Sequence, residues 1–178
     1  MAQKTKERIL TAALNLFNEK GLSQVPTRAI TLHLDISQGH LTYYFAKRAD
    51  IMDALFEYYK NQMVVILAKP AGDKYVFRAW MAAILEVNYT FRFLFLDFAQ
   101  VMRESPLFKK DYLRLRRVRK QKFMEFMDSL ALKGDFDQIY QQVELILEFG
   151  MMYGLLEGKM SRKRLVEKLL EDLMLMFE

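Results

Sequence analysis

The chain has 178 residues, a formal net charge of +5, 52% hydrophobic residues, 7 glycines, 3 prolines and no cysteine. The missing cysteines exclude disulfides, thiol sensing and Cys-based metal sites, and no apolar run nears the ~20 residues a membrane span needs. Scarce breakers in so apolar a chain point to an all-α fold, and the polar, basic start from Met1 to Arg8, running straight into a helix pattern, predicts a cytoplasmic protein with no membrane partner.

The first predicted helix covers about residues 5–20. Ile9, Ala13, Leu16 and Phe17 recur on one face, and Gly21 supplies the stop. Lys4, Lys6 and Arg8 near its start serve either as a solvated basic end or as phosphate contacts. Residues 1–50 hold 7 basic and 4 acidic side chains, while residues 51–178 hold 20 and 18. The N-terminal part therefore carries more positive charge per residue, which suits attraction to phosphates.

Residues 27–45 suit two short helices joined by a tight turn. Ile30 and Leu34 lie one turn apart on the first, and Ile36, Leu41 and Phe45 anchor the turn and the second. Asp35 tolerates the left-handed backbone that ends a helix. Ser37 can cap the second helix with its hydroxyl, and Thr27 or its neighbour can cap the first, with Pro26 just ahead. Gln38, His40, Thr42 and Tyr43 are left on the outer face. All can hydrogen-bond and none carries a fixed charge, which suits a helix entering a major groove. The pattern is a helix-turn-helix. Gln38, His40 and Tyr43 are its candidate base readers, and Gly39 brings the backbone close. Thr27 and Arg28 sit where a helix start presents amides and side chain to phosphate. Ser37 and Tyr44 belong to the same surface, Tyr44 bracing the helix or touching a phosphate, and Lys47 and Arg48 follow as backbone clamps. His33 and His40, the two histidines, fall on different helices without Cys or Glu beside them, so neither a metal nor a cofactor is expected.

Ile30, Leu34, Ile36-Ser37, Gly39, Leu41, Tyr43-Tyr44-Phe45 and Arg48 resemble the DNA-binding signature of TetR/AcrR-type transcriptional regulators. Upstream, Ile9-Leu10, Ala12-Ala13-Leu14, Leu16-Phe17 and Gly21 are similar to that family's opening helix, and Ile51 to Phe56 to the start of its connecting helix. The resemblance covers the first third of the chain, Thr5 to Phe56. Three positions depart from it: Asp35 stands where glycine is common, Thr31 where alanine is common, and Thr42 where a tyrosine usually follows the leucine. The resemblance implies a three-helix DNA-binding head at residues 1–48 and a helical effector-binding and dimerisation body at residues 49–178, about nine helices in all. The helix at about 49–68 would link the two and carry any effector's signal.

That linking helix shows its pattern in Ile51, Leu55, Tyr58, Tyr59, Met63, Ile66 and Leu67, and Lys69-Pro70-Ala71-Gly72-Asp73 ends it as the one clear boundary or hinge. Further helices are predicted over about residues 74–87, 89–103, 107–132, 137–153 and 161–177, with breaks at Ser105-Pro106, Lys133-Gly134-Asp135 and residues 158–161. From Phe91 to Met102 the chain is apolar nearly all round, so its helix should be central and buried. Trp80, Phe91, Phe95, Phe98, Met102, Tyr112, Phe123 and Met127 either line a cavity for an apolar or aromatic effector, which would fit the family, or fill the core. Plain packing needs the same residues at the same spacing. The basic run Arg114, Arg116, Arg117, Arg119, Lys120 and Lys122, interspersed with acidic neighbours, reads as a solvated face.

The last two helices carry more apolar surface than one core contact requires. Ile139, Val143, Ile146, Leu147 and Gly150 form one stripe, Leu165, Leu169 and Leu173 another, and Gly150 and Gly154 permit close backbone approach. They are expected to pair with their copies across a two-fold axis as a four-helix bundle. The functional expectation is a homodimeric regulator that binds a palindromic operator in double-stranded DNA, represses, and is released by a small molecule. It is not an enzyme. A helical carrier or enzyme with a merely structural helix-turn-helix, and a DNA-binding dimer without effector, are the alternatives.

Overall fold

The computed structural model describes residues 2–156 and 160–177, and among these ten α-helices and two 3-10 turns follow one another. Helix α1 (Ala2–Lys20) stops at Gly21, whose φ of 78° suits glycine best. A 3-10 turn at Leu22–Gln24 leads to α2 (Thr27–Leu34) and α3 (Gln38–Tyr44). Asp35 makes the turn between them in the left-handed conformation, φ 53° and ψ 49°. Ser37 Oγ accepts from His40 N at 3.1 Å and so fills one of the amide valences left open at the start of α3. Pro26, not Thr27, stands ahead of α2. The Thr27 hydroxyl accepts from Gln38 Nε2 at 3.2 Å instead, tying the starts of the two helices together. Ile30, Leu41 and Phe45 are buried in the same core as Ile9, Leu10, Ala13, Leu16 and Phe17 of α1.

Helix α4 (Arg48–Leu67) begins where the Asp50 carboxylate accepts from Lys47 N at 3.0 Å. Its buried stripe of Ile51, Met52, Leu55, Phe56, Tyr59, Met63, Ile66 and Leu67 belongs to one continuous core reaching from Ile9 to Leu173. After the 69–73 loop, Asp73 caps α5 (Lys74–Thr90) by accepting from Tyr75 N and Val76 N. Then come α6 (Phe93–Leu96), α7 (Phe98–Glu104), α8 (Pro106–Ser129), α9 (Phe136–Leu156), α10 (Arg162–Met174) and a closing turn at Leu175–Phe177. Ser105 caps α8 with Pro106 in its first turn. No helix among the described residues is long and apolar enough to cross a membrane.

The count is ten helices and not about nine because the apolar stretch expected as one helix over 89–103 is interrupted. Asp97 leaves the helical conformation, at φ −107° and ψ 27°, and its carboxylate accepts from Leu22 N at 2.8 Å. At the first break, Asn18 of α1 donates to Thr90 O at 2.8 Å and accepts from Phe93 N at 3.1 Å, satisfying backbone groups the break sets free. These partners lie 72 to 75 positions away along the chain, so the interruption is a tertiary event. Phe91, Phe93, Leu94, Phe95 and Val101 are buried as expected, but Phe98 and Met102 are half-buried and Leu96 is exposed, so the segment is covered only in part.

Candidate nucleic-acid interface

The side chains of α3 divide by its period. Leu41 turns into the core, while Gln38, Gly39, His40, Thr42 and Tyr43 are exposed, Tyr43 at 80%. Tyr44 is half-buried. Its ring meets that of Tyr43 edge-on at 5.0 Å and lies 5.7 Å from that of His40, a spacing that braces the outer aromatics. The Thr42 hydroxyl donates to Gln38 O at 2.9 Å, leaving only its acceptor lone pairs for anything outside. Beside this uncharged surface stand Arg28 and Lys47, both exposed and without an ion pair among the described residues. Thr27 is half-buried beneath Gln38. On α1, Lys4, Lys6 and Arg8 are exposed, with Lys6 Nζ 5.7 Å from the Phe45 ring centre. Neutral donors and acceptors flanked by uncompensated cations are the chemistry that base edges and phosphates call for.

Arg48 is not part of this surface, contrary to the expected backbone clamp. Its guanidinium turns inward, donating to Leu22 O at 2.7 Å and pairing with Glu104 at the end of α7. Donors spent on a carbonyl and a carboxylate are not free to hold a phosphate. Burial pushes the Glu104 carboxyl up, but hydrogen bonds from Arg48 and Gln100 outweigh it and hold the group below the usual carboxylate range. With Asn18 and Asp97, Arg48 and Glu104 join the N-terminal helices to the rest of the chain. Nothing local in the sequence marks these four, because each partner lies far along the chain.

Residues 9–55 match the family model described as bacterial regulatory proteins, tetR family, and residues 58–154 match the one described as bacterial transcriptional repressor. The chain belongs to the TetR family. The two matches meet within α4, the helix shared by the core of both parts. Among curated relatives, "Probable HTH-type transcriptional regulator YttP" of Bacillus subtilis (strain 168) is 36% identical over 62 residues. That match takes in 34% of this chain and spans 30% of the relative's length. Among solved structures, a TetR-family transcriptional regulator from Marinobacter aquaeolei VT8 superposes with a TM-score of 0.76 at 22% identity, over 84% of this chain and 79% of that one. A TetR/AcrR-family regulator from Aquifex aeolicus VF5 does so at 0.65 and 23% identity, over 97% and 99%. At such identities the likeness speaks for the fold.

In this TetR-family chain the residues expected to line an effector cavity pack against one another in two groups. Phe91, Phe95, Phe98 and Tyr112 meet one another, Tyr59 and Phe108 at centroid distances of 5.1 to 6.5 Å, edge-on except for the stacked pair of Phe108 and Tyr112. Trp80 and Phe123 join Phe77, Phe126 and Phe177. Met127 is buried and Met102 half-buried in the same core. A hollow of about 490 Å³ lies between α4 and α8 and is lined by none of these eight.

Most of the residues expected to form the dimer interface are likewise turned inward. Val143, Leu147, Leu165, Leu169 and Leu173 are buried within the single chain, and Leu169 and Leu165 pack over Gly150 and Gly154. A side chain already removed from water gains nothing more from a partner. The close approach these glycines permit is therefore α9 to α10 within one chain. Ile139 and Ile146 keep partial exposure. In the basic run of α8, Arg114, Arg117 and Lys120 are exposed as a solvated face requires, but Arg119 and Arg116 depart from it. Arg119 is 1% exposed and binds Tyr140 Oη at 3.2 Å, Glu144 at 3.0 Å and Glu148 at 2.8 Å, and Arg116 pairs with Glu144. Burial pushes the Tyr140 phenol up to about 12. Burial also pushes Glu144 up, but the guanidiniums of Arg116 and Arg119 outweigh it and hold the carboxyl low.

Proposed function

We propose that this chain is a cytoplasmic, homodimeric repressor that reads a palindromic operator with α3 and leaves it when a small molecule binds the body. Residues 1–48 act as the reading head and residues 49–178 as the controlling body. The observation that carries the reading is the exposed, uncharged face of Gln38, His40 and Tyr43 on a helix capped by Ser37 and backed by buried Leu41. Set in a major groove, Gln38 pairs with an adenine edge, and His40 and Tyr43 contact bases or phosphates, while Gly39 admits the backbone. Arg28, Lys47, Thr27 and Tyr44 hold the flanking phosphates.

A single head buries too little surface to be both tight and specific, so two are needed, about 34 to 36 Å apart on successive turns. The outward face of α9 suits the pairing. Leu145 is 60% exposed there, Met152 is exposed, and Ile139 and Ile146 are partly so. Fluorescence anisotropy on the DNA flanking the chain's own gene tests the reading, with saturable, sequence-selective and salt-sensitive binding expected. His40→Ala should change sequence preference by ~1 to 3 kcal/mol, whereas Arg28→Ala should weaken binding to every sequence and lower the salt slope by about 1. If both variants bind as the parent does, or light scattering finds a monomer at working concentration, the reading is wrong.

A further inference from the structure

Helices α4 and α8 lie side by side and run in the same direction. Ser105, just before α8, hydrogen-bonds Asp53, Lys60 pairs with Asp111 at 3.0 Å, and Leu67 and Ala68 share a groove with Leu115 and Val118. The groove's volume of about 490 Å³ falls within the range of small-molecule sites, roughly 300 to 1,000 Å³. Leu67 and Leu115 are its buried floor, whereas Val64 and Val118 stand 54% and 44% exposed along it.

The two ends differ in chemistry. Lys60, Asp111 and Arg114 make the end nearer the DNA-reading helices polar, and beyond them the lining is apolar. The Lys60 ammonium is already shared by Glu57 and Asp111. Arg116, Arg119 and Lys120 on the same helix are neutralised by Glu144, Glu148 and Asp137, but Arg114 is exposed and has no ion pair among the described residues. The groove thus pairs an uncompensated cation with an apolar trough.

We propose that this groove binds an amphipathic organic anion, a carboxylate whose charged end meets Arg114 and Lys60 and whose apolar body lies along Val64, Leu67, Leu115 and Val118. The inference rests on the effector-controlled reading above and gives that effector its chemical class and place. The bound carboxylate competes with Asp111 for Lys60, and the apolar body separates α4 from α8. Arg48, which grips the head at Leu22 O, begins the same α4 helix, with Lys60 ~18 Å further along its axis. Displacement at the groove therefore reaches the head through one stiff element.

Calorimetric titration of the full chain with decanoate, decanol and decyltrimethylammonium, each below its micellar concentration, tests this. Decanoate should bind once per chain. Arg114→Gln should weaken decanoate at least tenfold and leave decanol within twofold, because it removes a charge-assisted contact and no packing. Val118→Glu should abolish both. Both positions are exposed, and unchanged thermal midpoints would verify folding. The proposal is overturned if decanoate shows no saturable binding, if binding ignores both variants, if the cationic amphiphile binds as well as the anion, or if Val118→Glu changes the oligomeric state and so assigns the groove to a second copy. Decanoate binding with the expected variant pattern while operator affinity stays unmoved upholds the site and refutes its effector role alone. Decanoate binding by a chain that selects no DNA sequence upholds the site and refutes the regulator reading alone.

Discussion

Replacing Arg48 by methionine keeps the aliphatic stem and removes the guanidinium. The change deletes a donor to Leu22 O at 2.7 Å and the pair with Glu104, in which the two side chains are 23% and 28% exposed. A hydrogen bond from a charged group contributes about 1.5 to 3 kcal/mol. Discounting the ion pair for its partial exposure leaves a total of about 2 to 4 kcal/mol. For a chain of this size the thermal midpoint should fall by about 5 to 15 °C. Glu104→Gln, which keeps an acceptor, should cost about 1 kcal/mol. In a double-mutant cycle the two changes should not add, since each removes the same contact. Differential scanning calorimetry gives the midpoints, and anisotropy against salt concentration gives the phosphate count. A role on DNA predicts the opposite pattern, an unmoved midpoint with a salt slope lower by about 1. That pattern would refute the inward placement of Arg48.

Ser37→Ala removes the acceptor for His40 N and should cost about 1 kcal/mol of stability while loosening the start of α3, so operator affinity should fall as well. Chemical denaturation and anisotropy check the two effects, and an unchanged denaturation midpoint would count against the cap. Gly154→Ala places a methyl against Leu165, whose Cγ lies 3.2 Å from the new atom, and Leu165 is buried. Despite the better helix propensity of alanine, the chain should lose about 1 to 2 kcal/mol in urea denaturation. A gain would show that α10 can yield. Acid dependence follows from Glu104 and Glu144, whose folded carboxyls are held low, so the unfolded chain takes up their protons first as pH falls. The stability they contribute is complete above the ordinary carboxylate pKa of about 4.3 and is lost as pH drops through the lower folded values. Melts from pH 6 downward should show Glu104→Gln with a shallower acid decline, and an unaltered decline would remove Glu104 from the account.

The helix-turn-helix was legible because its determinants act over a few residues. Asp35 in the left-handed turn, Ser37 bonding an amide three positions on, and Leu41 turned inward while Gln38, His40 and Tyr43 turn outward all follow from caps and a 3.6-residue period. The fit of Ser105-Pro106 to the start of α8 has the same short range. Arg48 shows where that reach ends. From the sequence it is one more cation beside Lys47, and only the arrival of Leu22 and Glu104 turns its side chain inward.

By itself the sequence therefore determined that the chain is helical, where most helices start and stop, and which faces avoid water. Tertiary structure alone decided what covers those faces. Hydrophobic burial is not directional, so a stripe such as Leu165, Leu169 and Leu173 specifies that it will be covered without naming a copy or its own chain as the cover. The charges obey the same logic. Arg119 could enter the core only because Glu144, Glu148 and Tyr140 of another helix came to meet it, and a buried charge is tolerated only with such partners.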